Sequence, residues 1–182
     1  MRTVLREVLI VIAVAMAVFI VSRTAIQSFV IVGISMEPSF EEGQRLIINK
    51  AVYRFREPAR GDVIVFHPPN NQRTDYIKRI IALPGDTVEI KGEAVYVNDS
   101  QLYEPYIKDS PSYTLPQTEI PDNNYFVLGD NRNNSNDSHN DWTVERTDII
   151  GKAWLSIWPP GEWGLAPNYP LQEQLASAEL LP

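Results

Sequence analysis

The sequence contains no cysteine and only two histidines, His67 and His139. The first absence excludes disulfides, thiolate nucleophiles and cysteine-built zinc or iron–sulfur sites. The second leaves little for a hydrolase that would activate its nucleophile with imidazole. Basic residues are in the minority: 16 Lys and Arg stand against 23 Asp and Glu, for a formal net charge of −7. That balance argues against a nucleic-acid partner, which needs a basic patch. No run of like charges occurs, so there is no acidic or basic tail. After position 27 there is also no long amphipathic helical pattern, and no internal repeat. The 182 residues suffice for one domain, or one domain with a small insertion.

The longest apolar run is short. Val8 to Val21 gives fourteen consecutive apolar residues, against the ~20 that a spanning helix needs. Counting from Val4 to Ile26, and tolerating Ser22 to Ala25, brings the length up to requirement, and one N-terminal transmembrane helix is expected. Arg2, Arg6 and the amino terminus precede the run, while only Arg23 follows it closely. This asymmetry places the N-terminus in the cytoplasm and the rest of the chain outside. Two other readings stay open: a cleavable signal peptide, with Ala13-Val14-Ala15 as a mimic of a processing site, and a buried core helix. The unbroken passage into Phe29-Val30-Ile31-Val32 favours the anchor.

Beyond Gln27 the pattern changes to short runs rich in Val, Ile, Tyr and Phe, separated by turn residues. Strands are expected at Phe29–Val32, Arg45–Asn49, Asp62–Phe66, Tyr76–Ala82, Thr87–Ile90, Ala94–Asn98, Tyr125–Leu128 and Ile149–Ile157. Residues 88–97 read as a hairpin with Gly92 in its loop. None of the 14 prolines falls inside an expected strand. The fold class is therefore mainly β: an antiparallel sheet core with a small β insertion subdomain, behind one N-terminal helix. The expected division is 1–27 for tip and anchor, 28–86 with 121–182 for the core, and 87–120 for the insertion. A short C-terminal helix is expected over 171–181.

Three segments carry candidate chemistry: Gly33 to Ser39, Asp75 to Asp86, and Gly129 to His139. Each alone has a plain explanation as a turn, a solvated strand face, or a surface loop held by side-chain to backbone bonds. The lysine repays closer reading. On a strand, Tyr76, Lys78 and Ile80 share one face, and Ile77, Arg79 and Ile81 the other. Both faces are apolar apart from Lys78 and Arg79, so burial of a cation is expected. Burial disfavours the charged form and lowers a lysine's pKa. A drop of about 2 units, or roughly 3 kcal/mol, makes it a usable general base near pH 8. A serine served by such a lysine needs no histidine.

The anchor, the S-M-x-P segment at 35–38, RGDVIVF at 60–66, YIKRIIALPGD at 76–86, EPY at 104–106 and GDNRNNSNDS at 129–138 follow one another in this order. On these blocks the chain, from Arg2 almost to Trp158, resembles the bacterial type I signal peptidases. The resemblance implies that Ser35 is the nucleophile and Lys78 its general base, with Ser135 bonding and orienting the lysine. It implies an oxyanion met by the backbone N–H of Ser35 and helped by position 33. That residue is Gly33 here, where some relatives carry a serine. Asp130, Arg132 and Asp137 would hold the 129–139 loop against the lysine's strand. Phe29, Ile31, Met36, Tyr76 and Ile77 would line shallow pockets for small residues, consistent with Ala-x-Ala cleavage sites. His139 stands where many relatives have an arginine paired with the aspartate matched to Asp137, so a weak pair is expected.

The same resemblance implies no cofactor and no metal. The partners it implies are preprotein signal peptides, a lipid bilayer (plasma membrane, or one of thylakoid type) and the secretion translocon. Trp142, Trp154, Trp158 and Trp163 suit either a lipid interface or the core. Residues 130–141 fit a calcium loop poorly, since Ser135 and Asp141 stand where Gly and Glu are required. No serine has a lysine three residues on, as penicillin-binding enzymes require. A non-catalytic tethered β domain would not need both Ser35 and Lys78. A self-cleaving repressor would need a DNA-binding domain in place of the apolar segment.

Overall fold

The structure is a computed structural model that describes residues 2–69, 74–169 and 171–178. In chain order the elements are α1 (Arg2–Ala25), β1 (Ile26–Val30), β2 (Arg45–Asn49), β3 (Val63–Phe66), β4 (Tyr76–Ala82), β5 (Thr87–Lys91), β6 (Ala94–Val97), β7 (Ser100–Gln101), β8 (Leu115–Glu119), β9 (Asn124–Leu128), β10 (Val144–Glu145), β11 (Ile149–Trp158), β12 (Gly164–Leu165) and α2 (Leu171–Ala178). The tail expected to continue α2, residues 179–181, lies outside the described residues.

Two antiparallel sheets organise these strands. The larger runs β1-β2-β11-β3-β4-β9-β10, with β12 also pairing with β11, and the smaller runs β7-β6-β5-β8. The mainly β expectation holds. In the hairpin, Lys91 pairs with Ala94, and the two linking residues, Gly92 and Glu93, both have positive φ. A two-residue turn of that hand matches the twist of the strands it joins. β8 contains Pro116, which was not expected inside a strand. It is tolerated because β8 lies at a sheet edge, where one side of the ladder needs no donor. The sheets share one apolar layer: Ile81, Ala82, Phe126 and Leu128 of the larger pack against Val88, Ile90, Val95 and Val97 of the smaller. Burying each such Val, Ile, Leu or Phe contributes roughly 1.5–3 kcal/mol.

β4 is central in the larger sheet, with β3 on one side and β9 on the other. All its residues after Tyr76 are buried. The helix expected at the N-terminus is present as α1, but its membrane-spanning character is not borne out. Among the described residues no helix is long and apolar enough to cross a membrane. The four tryptophans divide between the two readings left open. Trp142 packs at 6.1 Å from Phe66, whereas Trp154, Trp158 and Trp163 are exposed.

Candidate active site

The loop between β1 and β2 is closed at its base by Ile31 N–H to Gln44 O and Gly43 N–H to Ile31 O, each 2.9 Å. Ile31, Met36 and Phe40 turn inward into the core, and this fixes the loop's outer turn, which carries Ser35. Ile31 and Met36 therefore do not line a surface pocket, contrary to expectation. Their side chains are 2% and 0% exposed because the loop needs them as its anchors.

The 129–139 loop is clasped to this turn. Asn131 N–H donates to Ser35 O (3.0 Å), and Asn131 Nδ2 donates to Ile34 O (3.1 Å). Gly129 permits the approach, since a Cβ there would collide with Ser135 Oγ and the carbonyl of Ser35. Asn131 was not among the expected site residues, although it lies in the GDNR block.

Lys78 reaches the turn from β4. Its Nζ lies 2.7 Å from Ser35 Oγ and 2.9 Å from the carbonyl of Ile77. The side chain is 4% exposed. Burial pushes its pKa down to about 8, and the negative charges of Asp137 and Asp130 oppose that shift. The amine also sits 5.3 Å from the centre of the Tyr76 ring. A serine hydroxyl beside an amine that is partly neutral near pH 8 is equipped for proton transfer.

Three further expectations change. Ser135 Oγ is buried without a hydrogen-bond partner among the described residues. It packs against Gly129, while the second contact of Lys78 Nζ is to Ile77 O. Gly33, at φ +87°, is a position suited to glycine. Its N–H is already donated to Glu42 Oε1 at 3.0 Å, so it is not free to meet an oxyanion. The Ser35 N–H has no acceptor among the described residues. Of the three loop-holding residues, only Asp130 reaches β4, through Arg79 at 2.9 and 2.7 Å. Arg132 instead forks onto Glu104 at 2.7 and 2.6 Å, tying the loop to the segment between β7 and β8. Asp137 accepts from Gly129 N–H (2.9 Å) and lies 2.6 Å from His139 Nδ1. The His139 ring is further fixed by stacking on Tyr113 at 4.2 Å. Arg79 and Glu104 were not assigned roles beforehand, although the apolar strand around Arg79 and the EPY block mark them.

A groove of about 510 Å³ runs past the serine and lysine. Phe29, Tyr76 and Ile77 line it, joined by Val30, Val32, Ile34 and Asn136. Among the described residues no cluster of three or more His, Asp or Glu is placed to hold a metal ion.

Residues 2–158 match the family described as signal peptidase, peptidase S26. The chain belongs to the S26 family of signal peptidases. It is 45% identical to a probable signal peptidase I-1 of Synechocystis sp. over 71% of this chain and 70% of that protein. It is 35% identical to signal peptidase IB of Staphylococcus aureus over 90% of this chain and 94% of that protein. A solved signal peptidase I from Enterococcus faecalis, 33% identical, superposes with a TM-score of 0.45 over 53% of this chain and 97% of its own. For this signal peptidase the close packing at Gly129 yields a prediction. Gly129→Ala is expected to lower preprotein cleavage on the order of tenfold to a hundredfold by displacing Ser35. Initial rates, with circular dichroism to verify folding, would test it; an unchanged rate would show that the turn absorbs the methyl group.

Proposed function

We propose that the protein is a serine endopeptidase that removes signal peptides from exported preproteins after Ala-x-Ala-like sites, with Ser35 as nucleophile and neutral Lys78 as its base. One observation carries this reading: the 2.7 Å approach of the buried Lys78 amine to Ser35 Oγ. The amine takes the hydroxyl proton as Oγ bonds to the scissile carbonyl carbon. The resulting lysinium returns that proton to the departing amine of the mature chain. Lys78 then deprotonates the water that hydrolyses the acyl-serine. The Ser35 N–H is the donor available to the oxyanion. The groove, bordered by Phe29 and Val30 of β1 and lined by Tyr76 and Ile77, suits a substrate of extended backbone.

Helix α1 serves as a lipid anchor that holds the catalytic domain at the membrane surface, where the preprotein and the translocon meet it. Support comes from apolar side chains such as Val4, Leu5, Leu9 and Val11, which are 57–68% exposed along α1. Deleting residues 2–24 is expected to release the protein from lipid vesicles in a flotation assay; undiminished flotation would place the membrane contact elsewhere. The catalytic reading is tested by incubating full-length wild type, Ser35→Ala and Lys78→Ala with a purified preprotein, then sequencing the new N-terminus. Cleavage by the wild type alone, behind a small residue, is the expected result.

A further inference from the structure

Residues 166–169 and 171–175 lie beyond the family match, which ends at 158, yet Tyr169 among them reaches Arg79, the neighbour of Lys78 on β4. We infer that this C-terminal segment is a positioning clamp for the Ser35/Lys78 site, acting through the aromatic face of Tyr169 on Arg79. The inference rests on the catalytic reading above.

The chain of contacts is continuous. Arg79, next to Lys78 on β4, is 0% exposed. Its guanidinium grips Asp130 of the clasping loop through Nε and Nη2 and donates to Gly61 O at 3.0 Å. Two adjacent rings lie against it: Tyr106 at 4.3 Å and Tyr169 at 5.0 Å. These rings also contact each other at 4.6 Å. A cation desolvated against aromatic rings is held in place more firmly than at an exposed site. Gly61 makes the approach possible: at φ +89° it lies so close to the carbonyl of Tyr169 that a Cβ would collide with it.

α2 then fastens the segment. Leu171 and Leu175 are buried in the shared core. Gln174 accepts from the N–H of Tyr103 (2.9 Å) and donates to its carbonyl (3.0 Å). Tyr103 precedes Glu104, which holds Arg132 of the same loop. The segment thus braces both cation–carboxylate pairs, Arg79–Asp130 and Arg132–Glu104, that carry the loop clasped to Ser35.

The charged groups around the lysine give the clamp a distinctive readout. Lys78 feels Asp137, itself paired with His139, and Asp130, paired with Arg79. Loosening Arg79 leaves the charge of Asp130 less compensated, and a less compensated anion favours the protonated amine.

The test is a kinetic comparison of full-length Tyr169→Leu, Tyr169→Phe and wild type on a purified preprotein across pH 6–10. In Tyr169→Leu, kcat is expected to fall roughly tenfold, with KM within twofold. Its acid limb should move up by about half a pH unit. Tyr169→Phe, which keeps the ring, should match wild type in both. Wild-type kcat and acid limb in a folded Tyr169→Leu would overturn the clamp, and so would equal impairment of Tyr169→Phe. If Tyr169→Leu does not fold, Gln174→Ala decides: the same two changes at smaller amplitude support the clamp, and wild-type behaviour overturns it. Ser35→Ala, run alongside, separates this outcome from failure of the catalytic reading, since an active Ser35→Ala would sink both.

Discussion

Lys78→Ala and Ser35→Ala are each expected to lower kcat for preprotein cleavage by at least about 10³-fold, with little change in KM. A nucleophile and its base act as one unit, so removing either forfeits nearly all that the pair supplies. Lys78→Arg is expected to be as inactive as Lys78→Ala, because a guanidinium does not deprotonate at any working pH. The pH profile follows from burial. With the Lys78 pKa at about 8, about a tenth of the protein carries the neutral amine at pH 7 and about half at pH 8. Activity should therefore climb tenfold per pH unit below that point and level off above it. An acid limb near pH 10, the ordinary lysine range, would mean that the amine is solvated in the working enzyme.

The same burial has a sign for stability. The folded value lies below the ordinary lysine value of 10.5. The penalty for holding the cation is therefore fully present below pH 8 and is relieved as pH rises from about 8 to 10.5, where the unfolded chain binds more protons. Lys78→Met removes that penalty. It is expected to raise Tm at pH 7 while abolishing cleavage, although lost bonds to Ser35 and Ile77 O offset part of the gain. A lower Tm would show that those bonds outweigh desolvation.

How much of this was legible in the sequence depends on how local each cause is. Arg45–Asn49 and Tyr76–Ala82 were bounded correctly, because a run of β-branched residues between polar turns is a property of five to seven neighbours. β7, β10 and β12 have two residues each, too few to show any period. β8 was hidden by Pro116, whose tolerance depends on having a neighbour on one side only. The 2.7 Å meeting of Ser35 and Lys78 joins residues 43 apart, so no spacing rule points to it; the ordered motif blocks did. The errors at the site share one origin. Whether Ile31 and Met36 point outward, and whether the Gly33 N–H is free, depends on how the loop returns at Gln44 and where that leaves Glu42. Those are closures of the chain in space.

Asp130→Ala is expected to destabilise the fold by about 3–5 kcal/mol, because it leaves a buried guanidinium unpaired. Arg79 and Asp130 are both 0% exposed. Burial works against the arginine's charge, but the carboxylate and its hydrogen bonds outweigh that effect and hold its pKa above the ordinary value. Without Asp130, the remaining partners are Gly61 O and a long 3.4 Å contact to Ser39 Oγ, with the two rings; none carries the opposite charge. Asp130→Asn keeps one acceptor and should fall between Ala and wild type. Replacing both residues, as Arg79→Leu with Asp130→Leu, should recover part of the loss, since the isolated charge is removed with its partner. Denaturant unfolding of these three variants, with the single Arg79→Leu and Asp130→Leu variants, measures this, and additive losses in the double variant would show that the pair is uncoupled. Any Asp130→Asn enzyme that still cleaves carries a second signature. Removing an anion that favours protonated Lys78 should move its acid limb to lower pH, opposite to the shift expected for Tyr169→Leu. Loosening the pair and neutralising its anion both slow the enzyme, yet they drive the lysine in opposite directions, which a purely mechanical role for Arg79 and Asp130 would not do.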